Sequence, residues 1–243
     1  MMNIGEKIIR AKIDYDEVHE AGKQAEYDRF WDNFQQNGDR VNYNSQFSGR
    51  GWSEKTFFPK YPIIVSGSGA CAYIFSMSGF KDFKKHIQEN GIVIDLSQAT
   101  GQAVNLFGNS SFLTHVPEIN ISGCNNLQYG FTNCNNLVSI DKLTVSSAMT
   151  FSSSFANCSK LENITFAGEI GKSIDFQYSP LTKASIESIV EHLWDGASGQ
   201  KLTLNLAAVN KAFETIEGAN DGSTSAEWTA LKATKPNWGF AYA

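Results

Sequence analysis

At 243 residues, 42% of them hydrophobic, the chain is long enough for one large domain or two small ones with a sizeable core. Its formal net charge is −5, and its nearest approach to a basic cluster is Lys84-Lys85. A nucleic-acid backbone is therefore not expected as a partner. There is no apolar run long enough for a helical membrane span, and the first residues lack the apolar core of an export signal.

Residues 14–36 read as a helix. Tyr27, Phe30, Trp31 and Phe34 follow i, i+3, i+4, i+7 spacing, and Val18, Ala21 and Ala25 extend the stripe backwards. Asn37-Gly38 is a suitable stop. The helix is expected to cover the open N-terminal end of the unit that follows. Ile8, Ile9 and Ile13, just upstream, offer a homo-oligomer through the same element as the other reading. Residues 39–62 are aromatic and turn-rich, with Gly49, Gly51-Trp52 and Phe57-Phe58-Pro59. They read as a connector to a first strand near 61–65. Residues 1–62 are thus expected to form an N-terminal helix and connector.

The middle of the chain repeats itself. Phe107, Phe131 and Phe155 lie 24 residues apart, and each opens the same pattern. Asn109, Asn133 and Asn157 follow, then Ser110, Cys134 and Cys158, then Leu113, Leu137 and Leu161, then Val116, Ile140 and Ile164. An earlier opening is placed at Phe75 and a decayed fourth at Tyr178. A coil of this length cannot bury its own apolar side. Stacked coils, about 4.8 Å apart as in a sheet, would line up the leucines, the branched residues and the phenylalanines in three internal columns. The asparagines are expected at a turn, bonding backbone groups of their own and the next coil. The four cysteines, Cys71, Cys124, Cys134 and Cys158, lack metal-ligand spacing and are read as buried free thiols. The resulting fold class is α/β, with a short leucine-rich-repeat solenoid over 63–180.

Residues 181–243 are expected to form a C-terminal α/β cap. Pro180 breaks the repeat. Thr182 then caps a helix bearing Ile186, Ile189, Val190 and Leu193 on one face, with Gly196 and Gly199 ending it. Lys201 to Leu206 alternates as a half-buried strand. Short helices are expected over 207–217 and 225–233, and a last strand over 238–242.

The repeats resemble the BspA-like leucine-rich repeats of bacterial surface proteins, whose coil reads AFxxCxxLxxIxI. Phe131, Cys134, Leu137 and Ile140 fall on that pattern, as do Phe155, Cys158, Leu161 and Ile164. The flanks resemble leucine-rich-repeat proteins of phages and prophages of gut Firmicutes. The segment around Tyr27, Phe30 and Trp31, the run Phe47-Ser-Gly-Arg-Gly51-Trp52, and the closing Lys235-Pro-Asn-Trp238 carry that likeness. It implies a virion or extracellular location, cytoplasmic before release if phage-encoded, and attachment to an assembly through the N-terminal part.

The sequence carries no HExxH, GxSxG or phosphate-binding loop, and its four histidines are scattered. No enzyme activity, cofactor or metal is expected. The expected function is non-catalytic binding of a protein or glycan through outward residues of the repeats. Periodicity nominates His115, Glu118, Asn120, Ser139, Asp141, Lys142 and Thr144 as that face. The other reading is a structural accessory subunit of a phage tail or similar assembly.

Overall fold

The computed structural model describes residues 63–68, 71–76 and 94–243, together with Gly22, Ala25, Asp28 and Arg29. Those four residues are helical. The remainder of the expected 14–36 helix, the isoleucines upstream and the connector lie outside the described residues.

The described chain is mixed, with strands predominating. In order it forms β1 (Ile63–Ser68), β2 (Ile94–Gln102), β3 (His115–Asn120), β4 (Cys124–Asn126), β5 (Ser139–Val145), β6 (Asn163–Gly168) and β7 (Ile174–Phe176). Helix α1 (Lys183–Glu191), β8 (Gln200–Leu204), α2 (Leu206–Ala212), a 3-10 turn (Gly222–Thr224), α3 (Ala226–Ala233) and β9 (Trp238–Tyr242) follow. The strands form three three-stranded sheets, ordered β1-β2-β4, β3-β5-β6 and β7-β8-β9, and every pairing is parallel. Strands β2 and β4 had no counterpart in the sequence reading.

The 24-residue period appears directly as strand register. Val116 pairs with Ile140 and Ile140 with Ile164, all three buried. Leu113, Leu137 and Leu161 are fully buried. The phenylalanines form a continuous stack, Phe75, Phe107, Phe131, Phe155, Phe176, with successive ring centroids 4.9, 5.3, 5.4 and 4.5 Å apart. The rings are stacked, with interplanar angles of 16°, 16°, 6° and 27°. The stack corrects one expectation. The last ring is Phe176, and Tyr178, read as the fourth opening, is about half exposed. The period is broken there. Phe176 follows Phe155 by 21 residues instead of 24, and β6 contributes one residue of that shortening, since Ile140 to Leu143 on β5 spans one residue more than Ile164 to Phe166.

The turns beside the phenylalanines explain the asparagines. Asn109, Asn133 and Asn157 all have φ near +60°. Asparagine tolerates this left-handed region better than most residues because its short amide relieves the Cβ clash through local bonding. Their amides bond each other rather than the backbone as expected. Asn133 Nδ2 donates to Asn109 Oδ1 at 2.8 Å, and Asn157 Nδ2 donates to Asn133 Oδ1 at 2.7 Å. Backbone bonds run alongside, with Phe107 N–H donating to Gly130 O at 2.7 Å and Phe131 N–H to Ser154 O at 2.8 Å. Replacing Asn133 by alanine should cost about 2 kcal/mol, combining the left-handed penalty with the lost amide bonds. Replacement by glycine should cost about half as much, because glycine adopts that φ freely. Urea titration of the two variants checks the order, and a glycine variant less stable than the alanine one would refute the backbone argument.

The Ser-for-Cys exchange in the first repeat also has a physical reason. Cys134 Sγ donates to Phe107 O at 3.2 Å, and Cys158 Sγ to Phe131 O at 3.1 Å. Ser110 Oγ makes the equivalent bond to Phe75 O at 2.9 Å. The column therefore selects a small buried donor rather than sulfur as such.

The C-terminal unit covers the last repeat. An uncovered β6 would present unpaired N–H groups at a sheet edge. Helix α1 meets that edge with hydroxyls. Ser185 Oγ accepts from Ile164 N–H at 2.9 Å and donates to Glu162 O at 3.0 Å, and Ser188 Oγ accepts from Phe166 N–H at 3.0 Å. The apolar face of α1, with Ile186, Ile189 and Val190, is buried as its spacing predicts. Several local details differ from expectation. Thr182 stands at the helix start without a side-chain cap bond; its hydroxyl lies 3.0 Å from Ser185 Oγ. The helix closes at His192, ahead of Gly196 and Gly199. Strand β8 ends at Leu204, because Asn205 caps α2 by accepting from Ala208 N–H, which leaves Leu206 exposed. Helix α2 stops at Ala212, well short of 217, and Asp221 closes the loop beyond it through the N–H and hydroxyl of Thr215.

Candidate functional site

Strands β3, β5 and β6 carry both buried and outward positions, with strict alternation broken at Val116-Pro117 on β3 and at Asp141-Lys142 on β5. Their buried residues are the columns described above, so the outward residues form one surface. All seven nominated residues are half-buried or exposed on β3 and β5. Register arranges them in rows running across the strands. His115, Ser139 and Asn163 form one row, Glu118 and Lys142 the next, and Asn120, Thr144 and Ala167 a third.

Asp141 and Lys142 both face outward, although neighbours on a regular strand face opposite ways. The cause is the extra residue noted on β5 relative to β6, a β-bulge that places two residues opposite one. The bulge puts a carboxylate and an ammonium side by side at the centre of the face. Bulges often re-aim side chains in this way where a surface is used.

Several of these side chains have partners within the surface. Lys142 Nζ meets Glu118 Oε1 at 2.5 Å, with both side chains substantially exposed, so the pair contributes no more than about 1 kcal/mol to stability. Asn120 Oδ1 accepts from the N–H and hydroxyl of Ser122 at 3.0 and 2.8 Å, closing the turn after β3. His115 Nδ1 lies 3.0 Å from Thr114 Oγ1. The face is therefore polar, of mixed charge and internally ordered. The third strand of the face, β6, lies outside the seven nominated residues. Asn163 and Ala167 continue the rows, and the Leu161 to Ile164 spacing already pointed to them.

All four cysteines are free and buried. Burial pushes the Cys134 thiol up to about 12 and raises Cys158 well above the ordinary range. Cys71 is held protonated by its hydrogen bond with Cys124 and by burial. At neutral pH these groups pack as small apolar residues with a weak donor. Among the described residues, no group of three or more His, Cys, Asp or Glu is placed to hold a metal ion, and no helix is long and apolar enough to cross a membrane.

Comparison of the chain with protein-family models, with curated proteins and with solved structures found no match.

Proposed function

We propose that this chain is a short BspA-like leucine-rich-repeat solenoid that acts as a non-catalytic binding module for a protein or glycan, carried on a virion or a cell surface. One observation carries the reading. The outward residues of β3, β5 and β6 stand in register as a polar sheet face, centred on the bulge at Asp141 and Lys142. A face of this kind suits recognition because its residues are already ordered before a partner arrives. The phenylalanine stack, the asparagine ladder and the buried branched residues hold the strands behind it. Ordering surface side chains on binding costs about 0.5–1.5 kcal/mol each, and a rigid backing reduces what must still be ordered. Hydroxyls, amides and both signs of charge on one surface also suit the mixed donors and acceptors of a protein or a glycan.

The test uses a double variant, Asp141→Arg with Thr144→Arg, which alters the middle of the face without touching the core. Wild-type chain is applied to a printed glycan array and, in a pull-down, to purified phage-tail and bacterial surface proteins. The expected result is at least one saturable signal that the variant loses, with its thermal melt unchanged. A signal that survives the double variant would overturn this assignment of the face.

A further inference from the structure

We infer that the turn ridge carrying Tyr73 and Tyr129 binds a neutral, extended polysaccharide that lies across successive repeats. The ridge is outside β3, β5 and β6, and it does not depend on their face being a binding surface.

The same tight turn recurs in four successive coils. Ser76 N–H donates to Tyr73 O at 3.2 Å, Gly108 N–H to Asn105 O at 3.2 Å, Thr132 N–H to Tyr129 O at 3.1 Å and Ala156 N–H to Ser153 O at 3.3 Å. Backbone bonds between coils set the first residues of these turns side by side. Tyr73 N–H donates to Val104 O at 2.8 Å, Asn105 N–H to Gln128 O at 2.9 Å and Tyr129 N–H to Ser152 O at 3.1 Å. Tyr73, Asn105, Tyr129 and Ser153 therefore form one column. The two tyrosines stand two coils apart, about 10 Å at the spacing of paired strands.

The tyrosines occupy this column against local preference. All four residues have φ between 52° and 58°. In that left-handed region the Cβ crowds the following carbonyl oxygen, which asparagine offsets by local bonding and tyrosine does not. Tyr73 and Tyr129 stay 41% and 40% exposed, so burial offsets the strain only in part. Strain kept at a fixed position of this kind points to use of the side chain.

The surroundings select the ligand. From Leu96 to Ser159 the only Asp, Glu, Lys or Arg residues are Glu118, Asp141 and Lys142, all on the strand face, in a chain that is 19% charged. Lys160, the next along the chain, donates to Asn136 Oδ1 at 2.7 Å. The turns thus present hydroxyls and amides, and an acidic or basic polymer finds no row of opposite charge there. Four residues after the tyrosine column runs the Asn109, Asn133, Asn157 ladder. Each ladder bond engages one hydrogen of an amide that carries two, so the row also offers donors to sugar hydroxyls. A pyranose has a face of C–H groups that packs on an electron-rich ring. In an extended β-1,4-linked chain each sugar advances by nearly one coil spacing, and alternate sugars present the same face. Such a chain sets every second sugar over a tyrosine and the one between beside Asn105.

The test is an NMR titration of the full chain. The probes are β-1,4-linked hexasaccharides of glucose and of N-acetylglucosamine, the matching disaccharides, and a uronic-acid hexasaccharide. The expected result is saturable movement of the amide resonances of 73–76, 105–108 and 129–132 with a neutral hexasaccharide and none with the uronic acid. The disaccharide spans one ring and should bind about tenfold more weakly, the worth of one aromatic contact. Tyr129→Asn should weaken the hexasaccharide by about tenfold. It should nevertheless raise the melting temperature by about 2–4 °C, because asparagine suits the left-handed turn. Tyr129→Phe keeps the ring and should bind as wild type. The proposal is overturned if no neutral hexasaccharide moves these resonances, or if the uronic acid binds there more tightly. It is also overturned if Tyr129→Asn binds as wild type or melts lower, or if Tyr129→Phe loses as much affinity as Tyr129→Asn. Shifts confined to β3 and β5 amides would overturn it too, while leaving the strand-face assignment standing.

Discussion

Phe131→Ala is expected to destabilise the protein by about 3–5 kcal/mol and to lower its melting temperature by on the order of 10 °C. Phe131 is the middle ring of five, fully buried, with neighbours at 5.3 Å on one side and 5.4 Å on the other. Truncation removes the ring's burial and leaves a void bounded by two more rings. Those rings are held by backbone bonds, such as Phe107 N–H to Gly130 O, that resist collapse into the gap. The loss should therefore fall toward the upper part of the range for large-to-small changes. Repeats that touch only their neighbours transmit little beyond them. Amide exchange should accordingly rise most in the turns around 105–111, 129–135 and 153–159, and much less in β8 and β9. Urea titration gives the size of the effect and hydrogen exchange gives its location. A loss below about 1 kcal/mol would mean that the stack contributes little packing energy.

Trp228→Ala should cost a comparable 3–5 kcal/mol, but at the other end of the molecule. Trp228 is fully buried on α3, which begins where Ser225 Oγ accepts from Trp228 N–H at 3.1 Å. Its ring packs at 4.9 Å from Phe213 and edge-on at 5.7 Å from Phe240. Its indole N–H donates to Tyr242 Oη at 2.7 Å. One side chain thus joins α3, the end of α2 and β9. Trp228→Phe keeps the apolar contacts and loses the bond, so it should cost roughly 1–2 kcal/mol. Hydrogen exchange should show β9 opening first in the alanine variant, with the repeats around Phe131 still protected. If the repeats lost protection together with β9, the two parts would unfold as one cooperative unit, and the local account would fail.

The parts of this molecule legible in its sequence are those in which identical residues recur at a fixed interval. Phe107, Phe131 and Phe155 announced a stack, and Val116, Ile140 and Ile164 a strand register, because a parallel ladder aligns residues one period apart. The alternation in β8 was legible for the same reason, since Leu202 and Leu204 must share a face. The seven nominated surface residues each lie at an outward or half-buried position, although strict alternation would not place both Asp141 and Lys142 there.

What escaped the sequence was whatever depends on contact between segments with no common period. The last ring is Phe176 rather than Tyr178, 21 residues after Phe155 instead of 24, and the one residue fewer that β6 carries opposite the β5 bulge is part of that shortening. Ser185 and Ser188 looked like ordinary helical residues, and became the cover for β6 only because packing set α1 against that edge. The cleft lined by Glu169, His192, Asp195 and Lys235 draws on segments far apart along the chain, and no local pattern ties them together. Periodicity encodes which face of a segment avoids water. Which segments then meet is set by packing and hydrogen bonding summed over the whole chain, and those contacts placed the hydroxyls of Ser185 and Ser188 against the edge of β6.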